Sequence, residues 1–143
     1  MTIKPPRVVI DTNVFIRYLI RPGAAIRRSI DEMWLEDQIV VLTSPELFDE
    51  LERVLERESI RKLIHPSEGQ ALLEALQMKA EFTHSLGDIP AYTRDAKDDK
   101  FIACAIAAQA GYLITEDRDL LALGDVLGFQ IITPYAYLMI KNV

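Results

Sequence analysis

The chain is poor in the residues that build several common sites. It has one cysteine and two histidines in 143 residues. A lone cysteine, Cys104, permits no internal disulfide, and so few sulfur and imidazole groups leave no Cys/His cluster for zinc. His65 and His84 lie in polar surroundings without HExxH spacing and read as surface residues. No GxGxxG follows an apolar run, and no GxxxxGK[ST] or GxSxG occurs, so dinucleotide, P-loop and serine-hydrolase chemistries lack support. No apolar run is long enough to span a bilayer. Met1-Thr2-Ile3-Lys4-Pro5-Pro6 is too short and polar for a signal peptide. The expectation is one soluble, cytoplasmic domain over residues 1–143, with no membrane partner.

Positive charge is also short. Sixteen Lys and Arg face 22 Asp and Glu, for a net charge of −6. That balance argues against broad nonspecific nucleic-acid binding. The shortage is uneven, however. Residues 1–30 hold Lys4, Arg7, Arg17, Arg21, Arg27 and Arg28 against Asp11 alone. Arg17 and Arg21 are one helical turn apart. They are candidates to meet phosphates, or to pair with nearby acids on a solvated helix face.

What the chain does have is short, unbroken apolar runs that end in polar residues. Val8-Val9-Ile10 runs into Asp11-Thr12-Asn13. Such a run suits a central parallel strand covered on both faces. Ile39–Leu42, Tyr112–Ile114 and Phe129–Ile132 read as three more strands. Between them the apolar spacing turns helical. Val14, Phe15, Tyr18 and Leu19 mark one helix, stopped by Pro22-Gly23. A second covers 24–36, with Ile26, Ile30, Met33 and Trp34 inward. Ser44-Pro45 opens a third over 45–57. Two more, near 58–64 and from Pro66 to about Ala80, have no strand between them and suggest an arm on the sheet core. Residues 84–97 read as a polar loop. The span from Asp98 to Gln109 is a helix apolar nearly all round, stopped by Gly111. Leu120, Leu121 and Leu123 make a short helix, and Pro134 opens the last. Strands alternating with helices predict an α/β/α sandwich around a parallel sheet.

In such sheets ligands bind at the carboxyl edge. Asp11 stands at the end of the first strand, and Asp117 and Asp119 follow the third. Asp98 and Asp99 open the apolar helix, where one of them suffices as a cap. Asp99 shares a face with Ile102, Ala103 and Ile106, and a carboxylate turned toward a core needs a partner such as a metal ion. Glu50 borders the apolar stripe of its helix, one turn from Leu47 and Val54, where a solvated edge position is the plain alternative. Carboxylates without Cys or His suit a hard cation, Mg²⁺ or Mn²⁺. Gathered in one pocket they repel one another, so one should have a raised pKa.

Four segments carry a resemblance. Val9-Ile10-Asp11-Thr12-Asn13-Val14, Thr43-Ser44-Pro45-Glu46-Leu47-Phe48-Asp49-Glu50-Leu51, Asp98-Asp99-Lys100-Phe101-Ile102-Ala103 and Thr115-Glu116-Asp117-Arg118-Asp119-Leu120 resemble, in order, the acidic motifs of PIN-domain proteins. The chain looks like those grouped as VapC-like toxins of toxin–antitoxin systems. The resemblance implies a flavodoxin-like topology, a Mg²⁺- or Mn²⁺-dependent endoribonuclease acting on single-stranded RNA, a homodimer and a cognate antitoxin. It places ion ligands at Asp11, Asp99 and Asp117, and a second ion or a water-orienting role at Glu50. Asp119 and Asp98 would support the cluster, with hydrogen bonds from Thr12, Asn13 and Thr115. Arg17 and Arg21 would contact RNA phosphates. A receiver-like signalling domain groups acids similarly but needs a Lys at the last strand end, where Ile131-Ile132-Thr133-Pro134 offers none. A PIN-like module that binds RNA without cleaving it is the other alternative.

Overall fold

A computed structural model describes residues 4–21, 23–125 and 127–141. Pro22, expected to help stop the first helix, lies outside the described residues, as do residues 1–3. Five parallel strands form one sheet: β1 (Arg7–Ile10), β2 (Val40–Thr43), β3 (Glu81–Phe82), β4 (Tyr112–Ile114) and β5 (Gln130–Ile132), in the order β3-β2-β1-β4-β5. The register sets Val8 beside Val41 and Tyr112, which makes β1 the centre. Among the described residues eight α-helices accompany it: α1 (Thr12–Ile20), α2 (Ala24–Arg27), α3 (Pro45–Glu56), α4 (Glu58–Arg61), α5 (Pro66–Lys79), α6 (Ala96–Ala107), α7 (Arg118–Leu121) and α8 (Pro134–Lys141).

Because strand side chains alternate, β1 feeds two cores. Val8 and Ile10 pack on one face with α1, α5 and α8, and Val9 packs on the other with Phe101, Ile102, Cys104 and Leu120. The result is the expected three-layer α/β/α sandwich. Val8, Val9, Ile102, Leu113 and Ile114 are fully buried. Burial also pushes the Cys104 thiol up to about 12, so it serves as a small packing group.

Four details depart from the sequence expectation. β3 is an added edge strand of two exposed residues, and no apolar run announces it. It pairs with β2 through Leu42 and Thr43, and Arg7 reaches across to Glu81 in an ion pair. The middle helices are not an arm: Ile64, Leu72, Leu73 and Leu76 belong to the main core. The second helix keeps its inward residues but runs on from α2 as a π-helix over Arg28–Trp34. Finally, α6 begins two residues early and stops early, with Gln109 rather than Gly111 in the left-handed region at φ 57°.

Candidate active site

The carboxyl edge of the sheet is built by strand ends that turn directly into helices. Asp11 follows β1 and caps α1. One carboxylate oxygen accepts the Asn13 N–H at 3.1 Å, and the other accepts the Thr115 hydroxyl at 2.6 Å. Thr115, at the end of β4 and fully buried, accepts the Asp117 N–H at 3.0 Å. Asp117 in turn caps α7, its Oδ1 accepting N–H groups from Asp119 and Leu120 at 2.9 and 3.1 Å. One buried hydroxyl thus couples the ends of two neighbouring strands and fixes the acids they carry.

The third side of the pocket is the first turn of α6. Its cap is Asp95, whose side chain accepts the Lys97 N–H at 2.9 Å. That leaves both Asp98 and Asp99 inside the helix, buried at 9% and 5% exposure. Asp98, Asp117 and Asp119 each offer a carboxylate oxygen, and the three atoms lie within 4.8 Å of one another. Oδ2 of Asp98 is buried and finds no hydrogen-bond partner among the described residues. Burial, then the charges of Asp117, Asp95, Asp11 and Asp119, push the Asp98 carboxyl up to about 7. Asp11 is also raised, first by burial and, against the hydrogen bonds from Thr115 and Asn13, by the charges of Asp117 and Glu50. These are the marks of carboxylates crowded together in a partly desolvated place.

Asp99, expected as an ion ligand, has one of its two oxygens held by the loop before α6. Its Oδ1 accepts three hydrogen bonds, from the Tyr92 N–H at 3.1 Å, the Thr93 N–H at 2.8 Å and the Thr93 hydroxyl at 2.9 Å. That oxygen is held by the preceding loop, and Asp98 is the member of the pair whose carboxylate groups with those of Asp117 and Asp119. Glu50, from α3, accepts the Thr12 hydroxyl at 2.7 Å and pairs with Lys100 at 2.8 Å, both charged side chains being 18% exposed. It is near enough to Asp11 to raise that residue's pKa. Asn13 gives its backbone N–H to Asp11, and its side chain is exposed. Arg17 pairs with Glu116, and Arg21 is exposed just past the end of α1.

Two cations at the rim were not singled out from the sequence. Lys100 holds Glu50, and Arg94 reaches Asp119 Oδ1 at 2.9 Å. Neither has an apolar periodicity to mark it; the only signal was proximity to Asp98-Asp99. Around them the donor set is oxygen alone. Three close carboxylates, one with an orphaned buried oxygen, fit a hard divalent ion.

Comparison with known proteins bears on the family and the fold. The PIN-domain family matches residues 7–119. An uncharacterized protein of Methanocaldococcus jannaschii, MJ1680, is 32% identical over 121 residues, covering 83% of this chain and 76% of its own. The crystal structure of PAE2754 from Pyrobaculum aerophilum shares the fold at a TM-score of 0.55 and 13% identity, over 98% of this chain and 92% of that one. PIN domains are generally nucleases and typically bind divalent metal ions. No described helix is long and apolar enough to cross a membrane. With the family match spanning β1 to α7 and the acids gathered where these elements meet, the chain belongs to the PIN-domain family.

Proposed function

We propose that this chain is a Mg²⁺- or Mn²⁺-dependent endoribonuclease acting on single-stranded RNA, and that it is the toxin of a toxin–antitoxin pair. The observation that carries the nuclease reading is the Asp98 carboxylate. It is buried, raised in pKa, unpartnered at Oδ2 and within 4.8 Å of Asp117 and Asp119. Keeping such a group in a folded protein costs stability, and a cation relieves that cost.

Asp98, Asp117 and Asp11 would hold the ion, with Asp119 beside them. The ion supplies Lewis-acid polarisation of a phosphodiester oxygen and acidification of water. The chain's own residues supply the frame. Thr115 keeps Asp11 and Asp117 in register by donating to one and accepting from the backbone of the other. Lys100 and Thr12 hold both oxygens of Glu50 on the side of Asp11, where its remaining lone pairs would orient an attacking water. The toxin role, the cognate antitoxin and the homodimer rest on the likeness of the four motifs to VapC-like proteins. An apolar groove of about 260 Å³, lined by Tyr18, Leu19, Trp34, Leu35, Leu72 and Ala75, offers room for an apolar side chain of such a partner.

The test is cleavage of a labelled single-stranded RNA by purified protein, with Mg²⁺ or Mn²⁺ and with EDTA, alongside growth arrest on induced expression. Wild-type protein should cleave only with the ion, and Asp11→Asn should neither cleave nor arrest growth. RNA retention without cleavage under either ion would favour the binding module instead. Cleavage without growth arrest would leave a nuclease that is not a toxin.

A further inference from the structure

We propose that Arg94 is the residue that receives an RNA phosphate at the rim of the acid pocket, and that Asp99 is the positioning residue that holds Arg94 there. The inference rests on the nuclease reading above and adds to it the group that admits the substrate.

An acidic pocket repels the polyanion it must cut. A phosphate can approach the cluster only if a cation at the rim meets it. Three rim cations are tied to acids among the described residues: Arg17 to Glu116, Lys100 to Glu50 and Arg94 to Asp119. Lys100 is 18% exposed and committed to orienting Glu50. Arg17 pairs with an acid outside the close trio. Arg94 alone is both open, at 90% exposure, and bonded to a member of that trio, Asp119.

The backbone beneath Arg94 is as constrained as its side chain is free. Tyr92 and Thr93 are fastened to Asp99 by three hydrogen bonds on one oxygen. The Thr93 hydroxyl has one proton to share between Asp99 Oδ1 and the Asp95 carbonyl at 2.7 Å, and it accepts the Asp95 N–H at 3.1 Å. Asp95 then caps α6. The turn that carries Arg94 is therefore locked to the same helical turn that carries Asp98. A fixed base with a mobile head suits a residue that exchanges partners. An ion pair this exposed holds weakly, so leaving Asp119 for a phosphate costs little. The guanidinium fork matches phosphate oxygens, which lysine does not do as well. The exchange also returns Asp119 Oδ1 to the pocket, so phosphate and cation should favour each other.

The test measures binding apart from cleavage. Fluorescence anisotropy of a labelled single-stranded RNA is followed over a salt series in the Asp11→Asn background, with and without Arg94→Ala. Loss of Arg94 should weaken binding roughly fivefold and flatten the slope of log affinity against log salt by about 0.7, as expected for one phosphate contact on a single strand. Arg94→Lys should restore the slope and only part of the affinity. Asp99→Ala, which frees the turn, should weaken RNA binding while Mn²⁺ uptake measured by calorimetry stays near wild type. Unchanged affinity and slope in Arg94→Ala would overturn the role of Arg94 while leaving the nuclease reading intact. Loss of Mn²⁺ uptake in Asp99→Ala, with circular dichroism showing a folded protein, would overturn the positioning role. Wild-type protein that binds no RNA and no Mn²⁺ would overturn both this inference and the reading beneath it.

Discussion

Removing the Asp98 charge should make the protein more stable, and by an amount that depends on pH. The carboxyl is raised from 3.8 to about 7 in the folded chain. At about 1.4 kcal/mol per unit, that corresponds to roughly 4 kcal/mol against the ionised form. The neighbouring Asp117 and Asp119 are only partly buried, so screening brings the expected value to about 2 kcal/mol. The sign follows from which state binds the proton. Below about pH 4 Asp98 is protonated in both the folded and the unfolded chain, and its charge costs nothing. Between about 4 and 7 the unfolded chain releases the proton first, and the cost to the fold grows. Above 7 both states are ionised and the full cost remains. Asp98→Asn never titrates and keeps nearly the same volume. Its advantage over wild type should therefore open between pH 4 and 7 and then level off. At pH 8 it should melt about 4–8 °C higher, at roughly 2–4 °C per kcal/mol for a chain of this length. Thermal denaturation in EDTA at pH 4.5 and pH 8 reads the difference. Adding Mn²⁺ at pH 8 should close the gap by raising wild type alone, because an ion at a hundredfold excess over its Kd adds about 2.7 kcal/mol. Equal melting temperatures at pH 8, or a gap of the same size at both pH values, would refute the reasoning.

Asp99→Asn should behave in the opposite way from its neighbour. Weakened hydrogen bonds from Tyr92 and Thr93 should lower stability by about 1–2 kcal/mol at pH 8, read by urea denaturation, while calorimetric Mn²⁺ uptake persists. Thr115→Val should cut Mn²⁺ affinity tenfold or more without unfolding the chain, since the hydroxyl bridges the Asp11 carboxylate and the Asp117 backbone. Leu42→Ala, at a core site 1% exposed, should cost about 2–5 kcal/mol in urea denaturation and leave the cleavage pattern of the remaining folded protein unchanged. Arg17→Ala should change stability by no more than about 1 kcal/mol, because its pairing with Glu116 is exposed on both sides.

Much of this could be read before any coordinates. β1, β2 and β4 are runs buried on both faces, so their apolar continuity is the signal itself, and at the edge strand β5 Ile131 and Ile132 suffice to show it. β3 was invisible because Glu81 and Phe82 are exposed, and what places them is backbone pairing with Leu42 and Thr43. The π-helix kept the inward positions of Ile30, Met33 and Trp34, so side-chain spacing alone could not reveal its wider turns. Sequence alone does not separate Asp98 from Asp99, for a related reason. A helix apolar nearly all round has no clear phase. Asp99 was aligned with Ile102, Ala103 and Ile106, yet Ile106 is 46% exposed. Asp98 shares the buried stripe with Phe101, Ile102 and Ala105. Asp99 is indeed buried and partnered, as a carboxylate there must be, but by loop N–H groups that no pattern in the sequence marks. Arg94 and Lys100 escaped notice because ion pairs between distant residues leave no periodic trace.

The two-residue edge at β3 has a consequence for handling the protein at high concentration. An open flank of a parallel sheet is a template on which a second molecule can add its own strand. Here the template is a pair of residues long, and one of them is a glutamate held in place by an arginine two strands away. A stranger's strand would gain few ladder bonds and would have to settle beside a fixed ionic group. Replacing Glu81 with valine would lengthen the apolar margin and release Arg7 together, and filament-prone association would be expected to begin on that side of the molecule.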